Sequence, residues 1–90
     1  PSAFFGTDLN EILRARGVEN VLVVGVKTNV CCRATATDAC AYNFRTYMVS
    51  DMLGTNTKEI NEFHLAEMTK YFAKALTSEE VFQRLKDGTF

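Results

Sequence analysis

The apolar run Val21-Leu22-Val23-Val24-Gly25-Val26 leads through Lys27-Thr28-Asn29-Val30 into Cys31, and then into the helix-compatible stretch Cys32 to Tyr42. Uninterrupted β-branched residues mark a strand covered on both faces, as in a parallel sheet. A helix that follows such a strand opens with unpaired N–H groups at the carboxyl edge of the sheet, where α/β folds bind ligands. A thiol placed there feels the positive end of the helix dipole, which favours its nucleophilic form. The same N–H groups suit the oxyanion formed when sulfur attacks a carbonyl. The bland alternative for Cys31 is a buried structural thiol, because free cysteine is commonly buried.

Composition narrows the function classes. A 90-residue chain with 47% hydrophobic content suits one small globular domain, not a disordered tail. A formal net charge of −1 without clustered Lys or Arg argues against a nucleic-acid partner. The longest apolar run is too short to span a bilayer, so no membrane role is expected. The chain opens on Pro1 without a signal-peptide pattern, and a processed or truncated piece of something longer is one expectation. Its three cysteines are an odd number. Cys31 and Cys32 are adjacent, and Cys32 and Cys40 on one helix stand roughly 12 Å apart, beyond disulfide reach. A reducing, cytoplasmic setting follows. No cysteine or histidine pairing has zinc-site spacing, and neither a metal site nor a cofactor is expected in this chain.

The remaining elements read in alternation. Thr7 is an expected N-cap for a helix with the apolar stripe Leu9, Ile12 and Leu13, stopped by Gly17. The first strand covers 20–26, a helix 31–43, and a second strand 44–50 ends at Asp51. A helical crossover between the two strands makes them parallel. Residues 52–57 read as a loop with turn chemistry in Gly54-Thr55-Asn56. A third helix covers 58–71, with Phe63, Leu65, Met68 and Phe72 expected to be buried, and propensity alone would continue it through Ala73–Leu76. Thr77-Ser78-Glu79-Glu80 is a capping box opening a last helix that buries Val81, Phe82 and Leu85, with Gly88 just past its end. A strand apolar on both sides needs helices above and below and neighbours at its edges. So few elements can barely supply that, and a chain of this size buries only about 60–65% of its unfolded surface. The expectation is that part of the sheet comes from a preceding segment, a second chain or a swapped protomer.

Taken together, these residues resemble the carboxyl-terminal half of the isochorismatase-like cysteine hydrolases, over nearly the whole chain. Ser2-Ala3-Phe4-Phe5-Gly6-Thr7-Asp8-Leu9 matches a SAF-x-x-T-x-L segment, and Gly25-Val26-Lys27-Thr28-Asn29-Val30-Cys31 the nucleophile loop G-[VI]-x-T-x-x-C. Thr35-Ala36-Thr37-Asp38-Ala39 matches TA-x-DA on the following helix, Met48–Asp51 the strand end, and Thr77–Phe82 the start of the terminal helix. The resemblance implies a three-layer α/β/α, Rossmann-like fold with a parallel sheet, incomplete in this chain, residues 1–90 being the second half of one domain. It also replaces the helical reading near Ala73–Leu76 with a short last strand.

For the site, the resemblance implies Cys31 as nucleophile, a cis peptide between Val26 and Lys27, and an oxyanion hole from the N–H groups of Lys27 and Cys31. Many members have a small residue where Lys27 stands. The family's Asp general base, its Lys and, in members that have them, its metal ligands precede the matched segment. The implied activity is hydrolysis of a small amide or ureide through a thioester. Isochorismatases proper, which cleave a vinyl ether, lack a cysteine at this position, and remain the alternative reaction.

Phe4, Phe5, Thr28 and Asn29 are candidates for the substrate pocket, each with a plainer reading: packing for the phenylalanines, helix capping for Thr28 and Asn29. Cys32 and Cys40 read as core residues, Asp38 as structural and Asp51 as loop-initiating. His64 is either half of a Cys–His dyad or an ordinary helix-start histidine. Rival readings are a non-catalytic half-domain serving assembly or regulation, and a thiol redox protein using Cys31 and Cys32. Expected partners are the small-molecule substrate, the absent half or a second chain, and further copies in a homo-oligomer.

Overall fold

The computed structural model describes residues 2–90. Along the chain lie α1 (Leu9–Ala15), β1 (Asn20–Val26), a π-helical turn (Thr28–Cys32), α2 (Arg33–Ala41), β2 (Arg45–Gly54), α3 (Lys58–Tyr71), β3 (Lys74–Leu76) and α4 (Ser78–Asp87). The strands form a parallel sheet in the order β1-β2-β3. Helices α2 and α3 pack on one face, where Val23, Met48 and Ala73 from the strands meet Cys32, Ala36 and Met68. On the other face Tyr47, Val49 and Leu76 meet Val81 of α4, with Leu22 and Phe90 at the margin. Helix α1 closes one end through Leu9 and Leu13 against Phe4, Ala39 and Phe44. The result is an α/β/α layering with β2 at its centre. Among the described residues, no helix is long and apolar enough to cross a membrane.

Several local expectations are corrected. Asp8, not Thr7, is the N-cap of α1, though the Thr7 hydroxyl still accepts the Leu9 N–H at 3.3 Å. The helix after β1 starts at Thr28 instead of residue 31, because its first turn is π-wound. The Lys27 carbonyl accepts from the N–H groups of Val30 and Cys32, which opens that turn by one residue. That helix also ends earlier, at Ala41, where Asn43 takes a left-handed φ of 68° that asparagine tolerates.

The larger difference concerns the end of β2, which runs to Gly54 where a loop was expected. Its register against β1 slips between Val23↔Met48 and Gly25↔Leu53. Gly25, at φ 109°, supplies the backbone conformation that lets β1 absorb the irregularity. Met52 and Leu53 lack the alternation of a half-buried strand, so their pairing was not visible locally. The capping box at Thr77 is present: its hydroxyl accepts from Glu80 N–H at 3.1 Å, and Glu80 accepts from Thr77 N–H at 2.9 Å. Phe63, Phe82 and Leu85 are 63%, 66% and 63% exposed, against the burial expected of them. Each sits on a helix face that no other described element covers; Met68 and Val81 take the inward positions instead.

Candidate active site

Strand β1 delivers the chain to the carboxyl edge of the sheet, and the π-turn places Cys31 one turn further on. The Val26–Lys27 peptide bond is cis. Cys31 is partly exposed and a free thiol. It borders a cavity of about 280 Å³ together with Ala3, Val24, Val26, Cys32 and Thr35. That cavity runs along the side of β1 that has no strand neighbour among the described residues. Val24 and Val26 are 49% and 72% exposed there, so the approach to the thiol is apolar. Thr35, one turn into α2, accepts the Ala3 N–H at 3.0 Å and ties the amino-terminal segment to the rim. Sequence reasoning quoted Thr35 only as part of a motif; its position four residues after Cys31 puts both on one helical face.

Cys32 borders the same cavity but is enclosed. It is buried, its Sγ 3.8 Å from the Val24 carbonyl, and burial, with a smaller effect from the neighbouring Cys31, raises its pKa above the ordinary thiol value. The adjacent thiols therefore differ in exposure, Cys31 partly open at the cavity and Cys32 enclosed in its wall, an arrangement poor for redox cycling between them. Cys40 is partly buried on α2 and also free.

The other candidates scatter. Phe4 is 3% exposed, its ring tilted against those of Tyr42 and Phe44 at centroid distances of 5.6 Å and 6.0 Å, which is the packing role. Phe5 is 86% exposed, and neither phenylalanine lines the cavity beside Cys31. Thr28 is fully buried and donates to Asn61 Oδ1 at 2.5 Å; Asn29 Oδ1 accepts from the Thr55 hydroxyl at 2.6 Å. Neither caps the turn, whose N-cap is Lys27. His64 does not line the cavity: its Nδ1 lies 2.7 Å from Arg33 Nη1, which also pairs with Glu67 at 2.5 Å. Asp51 sits at the start of α4, where its carboxylate accepts from the Ser78 N–H at 2.7 Å and hydroxyl at 2.6 Å; these bonds hold its pKa below the ordinary value. Among the described residues no three His, Cys, Asp or Glu side chains gather to hold a metal.

A layered parallel α/β domain with a thiol at the carboxyl edge of a strand is the class that fold and site define. The family model for the isochorismatase domain matches residues 1–80, and the chain belongs to that family. It is 34% identical over 85 residues to a maleamate amidohydrolase of Pseudomonas putida, covering 94% of this chain and 40% of that protein. It is 36% identical to nicotinamidase 3 of Arabidopsis thaliana, covering 93% and 42%. An isochorismatase-like hydrolase from Alkaliphilus metalliredigens superposes with a TM-score of 0.89 at 37% identity, covering 93% of this chain and 46% of that one. The chain thus spans under half the length of these relatives, which by name are hydrolases.

Proposed function

We propose that Cys31 is the nucleophile of a hydrolase acting on a small amide or ureide. The observation that carries the reading is the partly exposed Cys31 thiol bordering an open cavity at the carboxyl edge of β1. The amidohydrolase activities named for the maleamate and nicotinamide relatives support the reaction class. In the proposed cycle an Asp contributed by polypeptide beyond these residues takes the thiol proton, and sulfur attacks the carbonyl carbon. The C–S bond forms as the carbonyl electron pair moves to oxygen, where the N–H groups of Lys27 and Cys31 receive it. Collapse breaks the C–N bond, and the leaving amine or ammonia carries away the proton held by the Asp. Water then adds to the thioester, releasing the acid and restoring the thiol.

The open side of β1 is where a further strand carrying that Asp would pair. A second reading, a non-catalytic domain serving assembly, draws on the lack of any carboxylate among the residues lining the Cys31 cavity. Both are tested on a protein carrying these residues together with the Asp- and Lys-bearing segment, by ammonia release from a panel of small primary amides. Cys31→Ala is expected to lower turnover more than about a thousandfold, while Cys40→Ala leaves it unchanged. Intact mass of the Cys31 protein mixed with a turned-over amide is expected to show a transient acyl adduct. Full turnover in Cys31→Ala would eliminate Cys31 as the nucleophile, and no ammonia release from any amide with the intact protein would eliminate the hydrolase reading.

A further inference from the structure

The turn that presents Cys31 is gripped from outside by two residues to which nothing so far gives a role. Its first two side chains both hydrogen-bond away from the turn. Thr28 donates to Asn61 Oδ1, in the first turn of α3, and Asn29 Oδ1 accepts from Thr55, in the segment joining β2 to α3. We propose that Thr55 and Asn61 are positioning residues for the Cys31 nucleophile; this rests on the hydrolase reading above. Neither touches the cavity beside Cys31, so any effect on turnover must pass through the turn.

The backbone is arranged to deliver them. Strand β2 continues past the register slip until Gly54 pairs with Val26, which brings Thr55 alongside Asn29 immediately afterwards. A Cβ on Gly54 would stand 3.4 Å from Val26 Cγ1, at van der Waals contact with the side chain it pairs beside. The Thr57 hydroxyl then accepts the Ile60 N–H at 3.1 Å, and the Thr57 carbonyl accepts the Asn61 N–H at 3.1 Å. That cap starts α3 in the register that aims Asn61 at Thr28. Thr28 is fully buried, so its hydroxyl has no water to turn to and must find this acceptor.

A π-turn has one loosely held residue more than an α-turn, and two side-chain ties at its start remove that slack. Misplacing a nucleophile by about an ångström costs turnover on the order of a hundredfold while leaving substrate binding nearly intact. The test uses four variants of the protein assayed above. Thr55→Val and Asn61→Leu each remove one tie at similar volume. Thr55→Ser keeps the donor, and Asn61→Asp keeps the acceptor oxygen.

The expected result is a drop of about 10- to 100-fold in kcat for the first pair with KM within about twofold, and recovery in the second pair. Amide hydrogen exchange at Val30 and Cys32 is expected to quicken at least about tenfold in Thr55→Val and Asn61→Leu, while exchange in the middle of β2 stays unchanged. Wild-type kcat and wild-type exchange in both removing variants would overturn the assignment. Faster exchange without loss of kcat would overturn it too, leaving only a structural tie. If Cys31→Ala retains turnover, the assignment of Cys31 as nucleophile falls separately, whatever these variants do.

Discussion

Strand β1 is the more apolar in sequence, yet β2 is the more deeply buried. β2 lies between two strands with helices on both faces, and Thr46, Tyr47, Met48 and Val49 are all buried in succession. β1 has a neighbour on one side only among the described residues; Val23 is buried, whereas Val24 and Val26 face open space. The contrast teaches that an apolar run reports the surroundings a strand is suited to. Whether those surroundings are complete depends on the other elements present. The fully packed strand anchors the domain, and the half-covered one leads to the cavity beside Cys31.

The most forceful way to break this contrast is at Met48, which is completely buried at the heart of β2. Met48→Ala is expected to cost about 2–5 kcal/mol in urea-induced unfolding, through lost contacts and the cavity left behind. A cost below about 0.5 kcal/mol, the range of an ordinary surface change, would mean that β2 is not the anchor.

The next effect is read as pH dependence, and it separates the sheet's two ends of the titration range. Asp51, just past the buried stretch of β2, has its pKa lowered by the Ser78 bonds, so its contribution is present above the ordinary carboxylate value and lost as pH falls through the lowered one. Asp51→Asn is expected to make the acid limb of the stability–pH curve shallower. Cys32, packed beneath β1, has its pKa raised by burial, so its contribution is present below the ordinary thiol value and lost as pH rises through the raised one. Cys32→Ala is expected to flatten the alkaline limb; unchanged limbs in both variants would contradict these placements.

The smallest expected effect sharpens the comparison most. Val24→Thr in the 90-residue chain is expected to change stability by no more than about 0.5 kcal/mol, as for an exposed position. In a longer protein the same change is expected to cost more, because the open side of β1 would then be covered. Equal costs in the two settings would count against a strand pairing there.

Most of the order of strands and helices, the parallel pairing of β1 with β2 and the terminal capping box could be read from residues close together in the chain; β3, at Lys74–Leu76, read locally as helix and came only from the family resemblance. Apolar periodicity, glycine stops and the Thr77–Glu80 pair act within one or two turns, so their meaning does not depend on distant partners. Cys31 was legible for the same reason: a strand, a short loop and a helix start occupy a single stretch. Thr55 and Asn61 were not. Thr55 looked like ordinary turn chemistry, and Asn61 like a polar residue on a helix, because their partners lie 26 and 33 residues away. The prolonged end of β2 escaped notice because a register slip is a property of two strands, not of either alone.

Local sequence determined, by itself, most of the strands and helices and that a cysteine follows an apolar strand, since backbone preference and hydrophobic patterning act at short range. Tertiary structure alone decided which of two neighbouring thiols stays exposed, which aromatic side chains are covered, and which remote residues hold the cysteine turn. Those outcomes depend on hydrogen bonds and packing between elements far apart in the chain, and such contacts exist only after the sheet and its helices have come together.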